Sequence, residues 1–109
     1  MDRKVTLEGR EMTLRANALL PRKYRAFFGR DIMRDMQALT AGDDDPEIDM
    51  SVFENIAWLM FKTAGEDVGD SPEEWLATVD DMFSVYMIIP DVVELWSENN
   101  KTTSVPAKK

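Results

Sequence analysis

The 109-residue chain contains no cysteine and no histidine. It therefore has no disulfide framework, no thiolate or imidazole metal ligand, no Cys or His nucleophile and no Ser-His-Asp triad. Its longest apolar run, residues 56–61, is far shorter than the roughly 20 residues of a membrane helix. No apolar signal core follows the charged N-terminus. We therefore expect a cytoplasmic protein that does not associate with membranes.

The composition is that of a folded protein. Hydrophobic residues make up 44% and charged residues 31% of the chain, a globular balance rather than a disordered one. The length predicts one domain, residues 1–98. Residues 99–109 lack an apolar period, which predicts a flexible C-terminal tail.

The net charge of −8 is unevenly distributed along the chain. Residues 1–40 carry nine basic and five acidic side chains, whereas residues 41–100 carry sixteen acidic side chains and a single basic one, Lys62. The last nine residues add three lysines. Such a separation of charge points to charged partners or to self-association and says little about the fold.

The apolar pattern predicts a mainly α fold of the α+β class, in which an N-terminal β-hairpin packs on a bundle of about five helices. The hairpin is predicted over residues 4–15, because apolar residues alternate there with polar ones and Gly9 supplies a turn. The helices are predicted over residues 21–98. Pro21 suits the first position of a helix, Gly29 predicts a break, and Gly42 predicts a helix end.

Two capping boxes mark later helix starts, Ser51 to Glu54 and Ser71 to Glu74. The helix that begins at Ser51 is apolar on nearly all sides up to Gly65, which predicts a central buried helix. The second box opens a helix whose apolar residues continue at helical spacing as far as Phe83. An apolar bridge over residues 86–89 leads to a last helix that opens at Pro90.

Acidic residues offer two weak candidates for chemistry. Asp43, Asp45, Glu47 and Glu54 match ligand positions of a calcium-binding loop, but Ile48 stands where that loop requires glycine, so we interpret the segment as a solvated linker. Neighbouring carboxylates such as those at 73–74 and 80–81 could act together in acid–base catalysis. Consecutive side chains on a helix point in different directions, however, which argues against that role. We therefore predict that the protein is not an enzyme and uses no metal or cofactor.

A basic cluster interleaved with aromatic residues occupies positions 22–34. Arginine and aromatic side chains bind nucleic acids, but the acidic remainder of the chain would repel a phosphate backbone. We therefore expect no nucleic-acid binding and interpret these basic residues as partners of acidic groups, within the chain or on another protein. The cluster consists of Arg22, Lys23, Arg25, Arg30 and Arg34.

Eight methionines, including the initiator, are many for this length. Methionine fills gaps in cores, and it also recurs on surfaces that bind varied apolar segments. The second interpretation would place these side chains in an adaptable groove. The methionines considered for it are Met33, Met36, Met60, Met82 and Met87.

Short segments in order along almost the whole chain resemble the tail assembly chaperones of long-tailed siphophages, in the version common in prophages of Gram-positive bacteria. These segments are Thr13-Leu14-Arg15-Ala16, Tyr24-Arg25, Phe28-Gly29-Arg30-Asp31, Glu54-Asn55-Ile56-Ala57-Trp58, Lys62-Thr63-Ala64, Glu74-Trp75-Leu76, Glu94-Leu95-Trp96 and Lys101-Thr102-Thr103-Ser104.

The resemblance implies a non-enzymatic assembly factor that acts in the host cytoplasm and is absent from the mature virion. Such chaperones bind the long tape measure protein, keep it soluble and help to recruit tail tube subunits around it. The candidate contacts come from the apolar and basic excess of the sequence. They are Met33, Met36, Trp58, Phe61, Arg22, Arg25 and Arg30.

Other interpretations belong to different classes. An acidic protein of this kind could imitate a phosphate array and inhibit a basic partner, although the basic N-terminal part argues against this. An acyl-carrier-like or metal-binding domain lacks its serine or glycine signature here. A further expectation follows from the charge distribution, since a basic face on one copy can meet an acidic face on the next.

Overall fold

The computed structural model describes residues 1–41 and 50–104, and only the backbone of residues 40, 41 and 99–104. Within these ranges an antiparallel two-stranded hairpin precedes five helices, which confirms the predicted mixed α+β fold. The hairpin consists of β1, Asp2–Leu7, and β2, Arg10–Arg15. The helices are α1 (Leu19–Phe28), α2 (Ile32–Ala41), α3 (Met50–Thr63), α4 (Pro72–Leu76) and α5 (Ile89–Ser104), with a 3₁₀ helix, Val85–Ile88, before α5.

The hairpin closes through a two-residue turn. Glu8 and Gly9 both have positive φ, 52° and 82°, as a type I′ turn requires. The strands pair with Val5 opposite Met12 and Leu7 opposite Arg10. One face of the hairpin is buried, because β2 lies against α3 and β1 against α5. Its apolar side chains are Val5, Leu7, Met12 and Leu14.

Helix α3 forms the centre of the fold, as predicted. Eight apolar side chains of this helix are buried, four of them in the continuous stretch Trp58 to Phe61. The helix ends at the expected glycine: Gly65 has a φ of 90°, and the Glu66 N–H donates to the Phe61 carbonyl in a six-residue closing turn. The remaining elements pack around this helix, which contacts β2, α1, α2 and α4.

Three helix starts can be compared with the sequence. Helix α1 begins at Leu19 rather than at Pro21, because the Asn17 side chain accepts from the Leu19 N–H at 3.0 Å. Proline is tolerated two residues later, because the backbone N–H groups of a helix's first turn have no intrahelical acceptor and the N–H that proline lacks is not needed there. The second capping box is confirmed at its serine, whose Oγ accepts from the Glu74 N–H at 3.2 Å. The Glu74 carboxylate accepts instead from the Asp70 N–H.

The first capping box is wrong. Helix α3 already begins at Met50, so Ser51 lies inside its first turn, and the Glu54 carboxylate accepts from the Tyr86 hydroxyl at 2.9 Å. The predicted glycine end of α2 at Gly42 and the acidic loop 43–49 lie outside the described residues. At the C-terminus α5 continues to Ser104, six residues into the predicted tail, whereas residues 105–109 lie outside the description.

The predicted helical stripe through Phe83 is also wrong, because α4 ends at Leu76. The Thr78 hydroxyl donates to the Trp75 carbonyl at 2.6 Å, and the next N–H groups form tight turns. The N–H groups of Asp80 and Asp81, which a continuing helix would use, donate to the Glu8 carboxylate. The stripe therefore breaks into a short helix, turns and the 3₁₀ helix.

Candidate partner-binding surface

Three of the seven predicted contact residues lie in the core and do not form a surface. Met36, Trp58 and Phe61 each expose 0% of their area. The Trp58 Nε1–H donates to the Val68 carbonyl at 3.2 Å, and the Phe61 ring meets Trp75 edge to face at 5.4 Å. These residues were chosen because they are apolar, but apolar residues occur in the core as readily as on a binding surface. Met33, by contrast, is 52% exposed.

Arg30, a fourth predicted contact, is committed to a partner within its own half of the chain. Its guanidinium donates twice to Asp35, from Nε at 2.7 Å and from Nη2 at 2.9 Å. The Tyr24 hydroxyl donates to the same carboxylate at 2.7 Å. Burial alone would raise the pKa of Asp35, but the hydrogen bonds from Arg30 and Tyr24 hold it below its ordinary value of 3.8. This triad ties α1 to α2 across the turn at Gly29.

Arg22, Lys23 and Arg25 remain exposed on α1 and form no ion pair with the part of the chain that the structure describes. Two of them border an open depression of about 570 Å³, with Ala18, Pro21 and Ala26. The predicted pairing with the acidic half is thus not seen for these three within the described ranges. We call them the α1 basic surface. The ion pairs that do link the two halves run from Arg3 to Asp91 and Glu94.

The most exposed large apolar side chains of the described residues lie between α4 and α5, where the sequence predicted the end of an apolar helix and an apolar bridge. Met82 and Met87 are each 75% exposed and Phe83 is 62% exposed. All three belong to the turns and the 3₁₀ helix between α4 and α5, and we call them the 82–87 apolar surface. The sequence identified the two methionines as candidates for a groove and missed Phe83, which it placed only at helical spacing in a longer helix.

Glu8 holds this segment in place from the hairpin turn. Its carboxylate accepts from the N–H groups of Asp80 at 3.1 Å and Asp81 at 2.7 Å, and from the Ser84 hydroxyl at 3.1 Å. The N–H of Asp81 in particular lowers the pKa of Glu8, since it favours the charged carboxylate. No sequence signal could have found this contact, because the partners are more than 70 residues apart.

A shallow groove of about 290 Å³ runs beside the 82–87 apolar surface. Three acidic residues, Glu54, Asp80 and Asp81, line it together with apolar and aromatic side chains. Glu54 also fixes the Tyr86 ring through the hydroxyl hydrogen bond. The other lining residues are Leu76, Val79, Met82, Val85 and Tyr86. An apolar floor with carboxylates and without a basic residue suits an apolar ligand that carries positive charge.

The described residues contain no group of three or more acidic side chains placed to hold a metal ion. Most of the calcium-like segment, including Asp43, Asp45 and Glu47, lies outside them. Within the same ranges, none of the helices combines the length and apolar character that crossing a membrane requires.

Comparison of the chain with protein-family models, with curated proteins and with solved structures finds no match. The candidate surface therefore stands on the geometry of this chain.

Proposed function

We propose that the protein is a phage tail assembly chaperone, a non-enzymatic factor that binds the tape measure protein through the 82–87 apolar surface and keeps it soluble. It would act in the cytoplasm of the bacterial host, help to recruit tail tube protein, and be absent from the mature virion. The observation that carries the proposal is the exposure of Met82, Phe83 and Met87. The resemblance of the sequence to this class of chaperone supplies the identity of the client.

The chemistry of this surface supports a chaperone role. A tape measure protein is long, helical and partly apolar, so its chaperone must accept many related segments rather than one. Methionine suits that task because its unbranched, polarisable side chain adapts to different shapes. A phenylalanine between two methionines adds a rigid anchor of large area. The acidic exterior keeps the loaded complex soluble.

The first test replaces the anchor and one methionine together, Met82→Gln with Phe83→Ser. Both side chains are largely in water, so we expect the free energy of unfolding to change by less than about 0.5 kcal/mol each. Client affinity should fall by roughly tenfold or more, since central aromatic contacts dominate interfaces. The measurements are the soluble fraction of co-expressed tape measure protein and its capture by the purified chain.

Leu19→Gln provides the matched control, because Leu19 is also half exposed, at 51%, on a different part of the molecule. It should leave the tape measure protein soluble. Met33→Asp is a competing arm, since Met33 is the exposed apolar residue of the site predicted from sequence. Loss of client with Met33→Asp, and not with the double variant, would move the client surface to α2 and refute the proposal.

We also propose that copies of the chain associate head to tail. The α1 basic surface carries three cations without an ion pair in the described ranges, and residues 66–74 carry five carboxylates and no basic side chain. Contact between two unlike faces is heterologous and builds rings or filaments, an arrangement suited to a rod-like client. The carboxylates offered to the next copy include Asp67 and Glu73, both exposed.

Charge-driven association must weaken with salt, because screening shortens the range of exposed charges to about 3 Å at 1 M. We expect the mean mass from light scattering to fall between low and high salt. The double variant Arg22→Gln/Arg25→Gln should show the smaller mass already at low salt, whereas Lys4→Gln on β1 should behave as the parent chain. An identical mass at both salt concentrations would contradict the proposal.

A further inference from the structure

We infer that the groove beside the 82–87 apolar surface selects basic amphipathic helices of the client. This inference rests on the proposed function and adds the chemistry of the bound segment. It follows from three properties of the groove: the sign of its charge, the shape of its apolar surface and the state of its backbone hydrogen bonds.

Arg10 shares a neighbouring depression with Asp80, but no ion pair among the described residues neutralises the carboxylates of the groove. These carboxylates belong to Glu54, Asp80 and Asp81. Lys62, the nearest basic residue in sequence to this acidic region, donates to the Gly69 carbonyl and lies 3.7 Å from Asp70. Three carboxylates around an apolar floor favour a ligand with positive charge at the edges of its apolar face.

The backbone of residues 80–87 does not offer a row of free N–H groups to a ligand strand. The addition of a strand requires a row of free N–H groups, but six N–H groups between Asp80 and Met87 are already bonded. Those of Asp80 and Asp81 donate to Glu8, and that of Phe83 donates to the Asp81 side chain. The N–H groups of residues 84, 86 and 87 donate to carbonyls within the segment. Recognition must therefore use side chains, as when an amphipathic helix lies in a groove.

The shape of the surface fits the same ligand. Met82 lines the groove together with Leu76, Val79 and Val85. Phe83 and Met87, the other members of the 82–87 apolar surface, are largely exposed. A helix presents an apolar stripe at positions i, i+3, i+4 and i+7. Such a stripe can rest on the apolar floor while lysines or arginines beside it reach the carboxylates. The α1 helix of a second copy is itself basic, so it is the rival occupant that the experiment must separate.

The test uses two fluorescently labelled helical peptides that share one leucine face and differ only in their flanks, lysine in one and glutamate in the other. At low salt the lysine peptide should bind the full chain, and the glutamate peptide should bind at least tenfold more weakly. Asp80→Asn with Asp81→Asn should weaken the lysine peptide roughly fivefold. Asparagine retains an oxygen that can accept from the Phe83 N–H. The effect should shrink at 0.5 M salt.

The control double variant, Glu11→Gln with Asp31→Asn, removes the same charge from two exposed positions away from the groove. It should bind the lysine peptide like the parent chain. Equal binding of both peptides, or equal weakening in both double variants, would overturn the inference.

A further arm addresses the rival occupant and the proposed function. If Asp80→Asn/Asp81→Asn lowers the chain's own mass in light scattering, a second copy fills the groove and the inference is overturned. If the peptides do not distinguish charge while Met82→Gln/Phe83→Ser still loses the tape measure protein, the inference fails and the proposed function stands. Retention of the tape measure protein by that variant removes the proposed function itself.

Discussion

Replacement of Asp35 with alanine is expected to lower the free energy of unfolding by about 3 kcal/mol. Asp35 is 1% exposed, and it accepts two hydrogen bonds from Arg30 and one from Tyr24. The variant leaves the buried Tyr24 hydroxyl without its acceptor and removes a charge-assisted bidentate pair. The loss stays at the lower end of the range for buried pairs, because the Arg30 side chain is 41% exposed and regains water. Urea unfolding of the two proteins measures the difference.

The chain provides a matched control in a second bidentate pair. Arg15 donates to Asp2 from Nε at 2.8 Å and from Nη2 at 3.0 Å, nearly the same geometry as Arg30 with Asp35. Both side chains of this pair are at least 40% exposed, so water competes for them. Asp2→Ala should therefore cost much less than Asp35→Ala. Equal losses would show that Asp35 is not held in a buried site.

The pH dependence of stability provides the second half of this test. The pKa of Asp35 is lowered in the folded chain, so its contribution is fully present above the ordinary value of 3.8. It is lost as the pH falls below 3.8 and through the lowered pKa of the folded state. Asp35→Asn should flatten this acid limb, although Asp2 and Glu8, whose pKa values are also lowered, maintain part of it.

Local signals predicted the elements well where backbone chemistry and pattern agreed. The alternation of Val5, Leu7, Met12 and Leu14 identified the buried face of the hairpin. The high apolar content of residues 52–61 identified the central helix. Each of these patterns lies within one short segment of the chain, so it predicts its strand or helix without knowledge of distant contacts.

The segment after α4 could not be predicted, because a distant residue decides its structure. Helical spacing runs from Trp75 to Phe83, yet the Glu8 carboxylate binds the N–H groups of Asp80 and Asp81. That competition ends the helix and turns Phe83 outward to 62% exposure. The sequence therefore did not identify the candidate surface, because the apolar spacing of this segment is typical of a helix that faces a core.

The predicted contact residues differ in burial for a related reason. The hydrophobicity of a residue does not show whether its side chain is buried. Met36 exposes 0% of its area and Met33 exposes 52%. Among the basic residues, Arg30 was indistinguishable in sequence from Arg22 and Arg25. Its different role arises because the turn at Gly29 brings it to Asp35, a carboxylate in its own half.

Phe61→Ala is expected to lower the free energy of unfolding by about 3–5 kcal/mol. Phe61 is 0% exposed on α3 and packs edge to face on Trp75, so truncation leaves a cavity in the centre of the fold and removes an aromatic pair. Phe83→Ala is the matched change at a residue that is 62% exposed, and it should cost less than about 0.5 kcal/mol. Thermal and urea unfolding measure both.

The two phenylalanines separate folding from binding. Phe83→Ala should leave a stable chain that has lost affinity for the tape measure protein, because its ring lies in water until a partner covers it. Phe61→Ala should retain that affinity in whatever fraction remains folded, since its ring touches the core and not a client. The reverse outcome, a stable Phe61→Ala chain that no longer binds, would restore the contact predicted from the sequence and would place the client on α3.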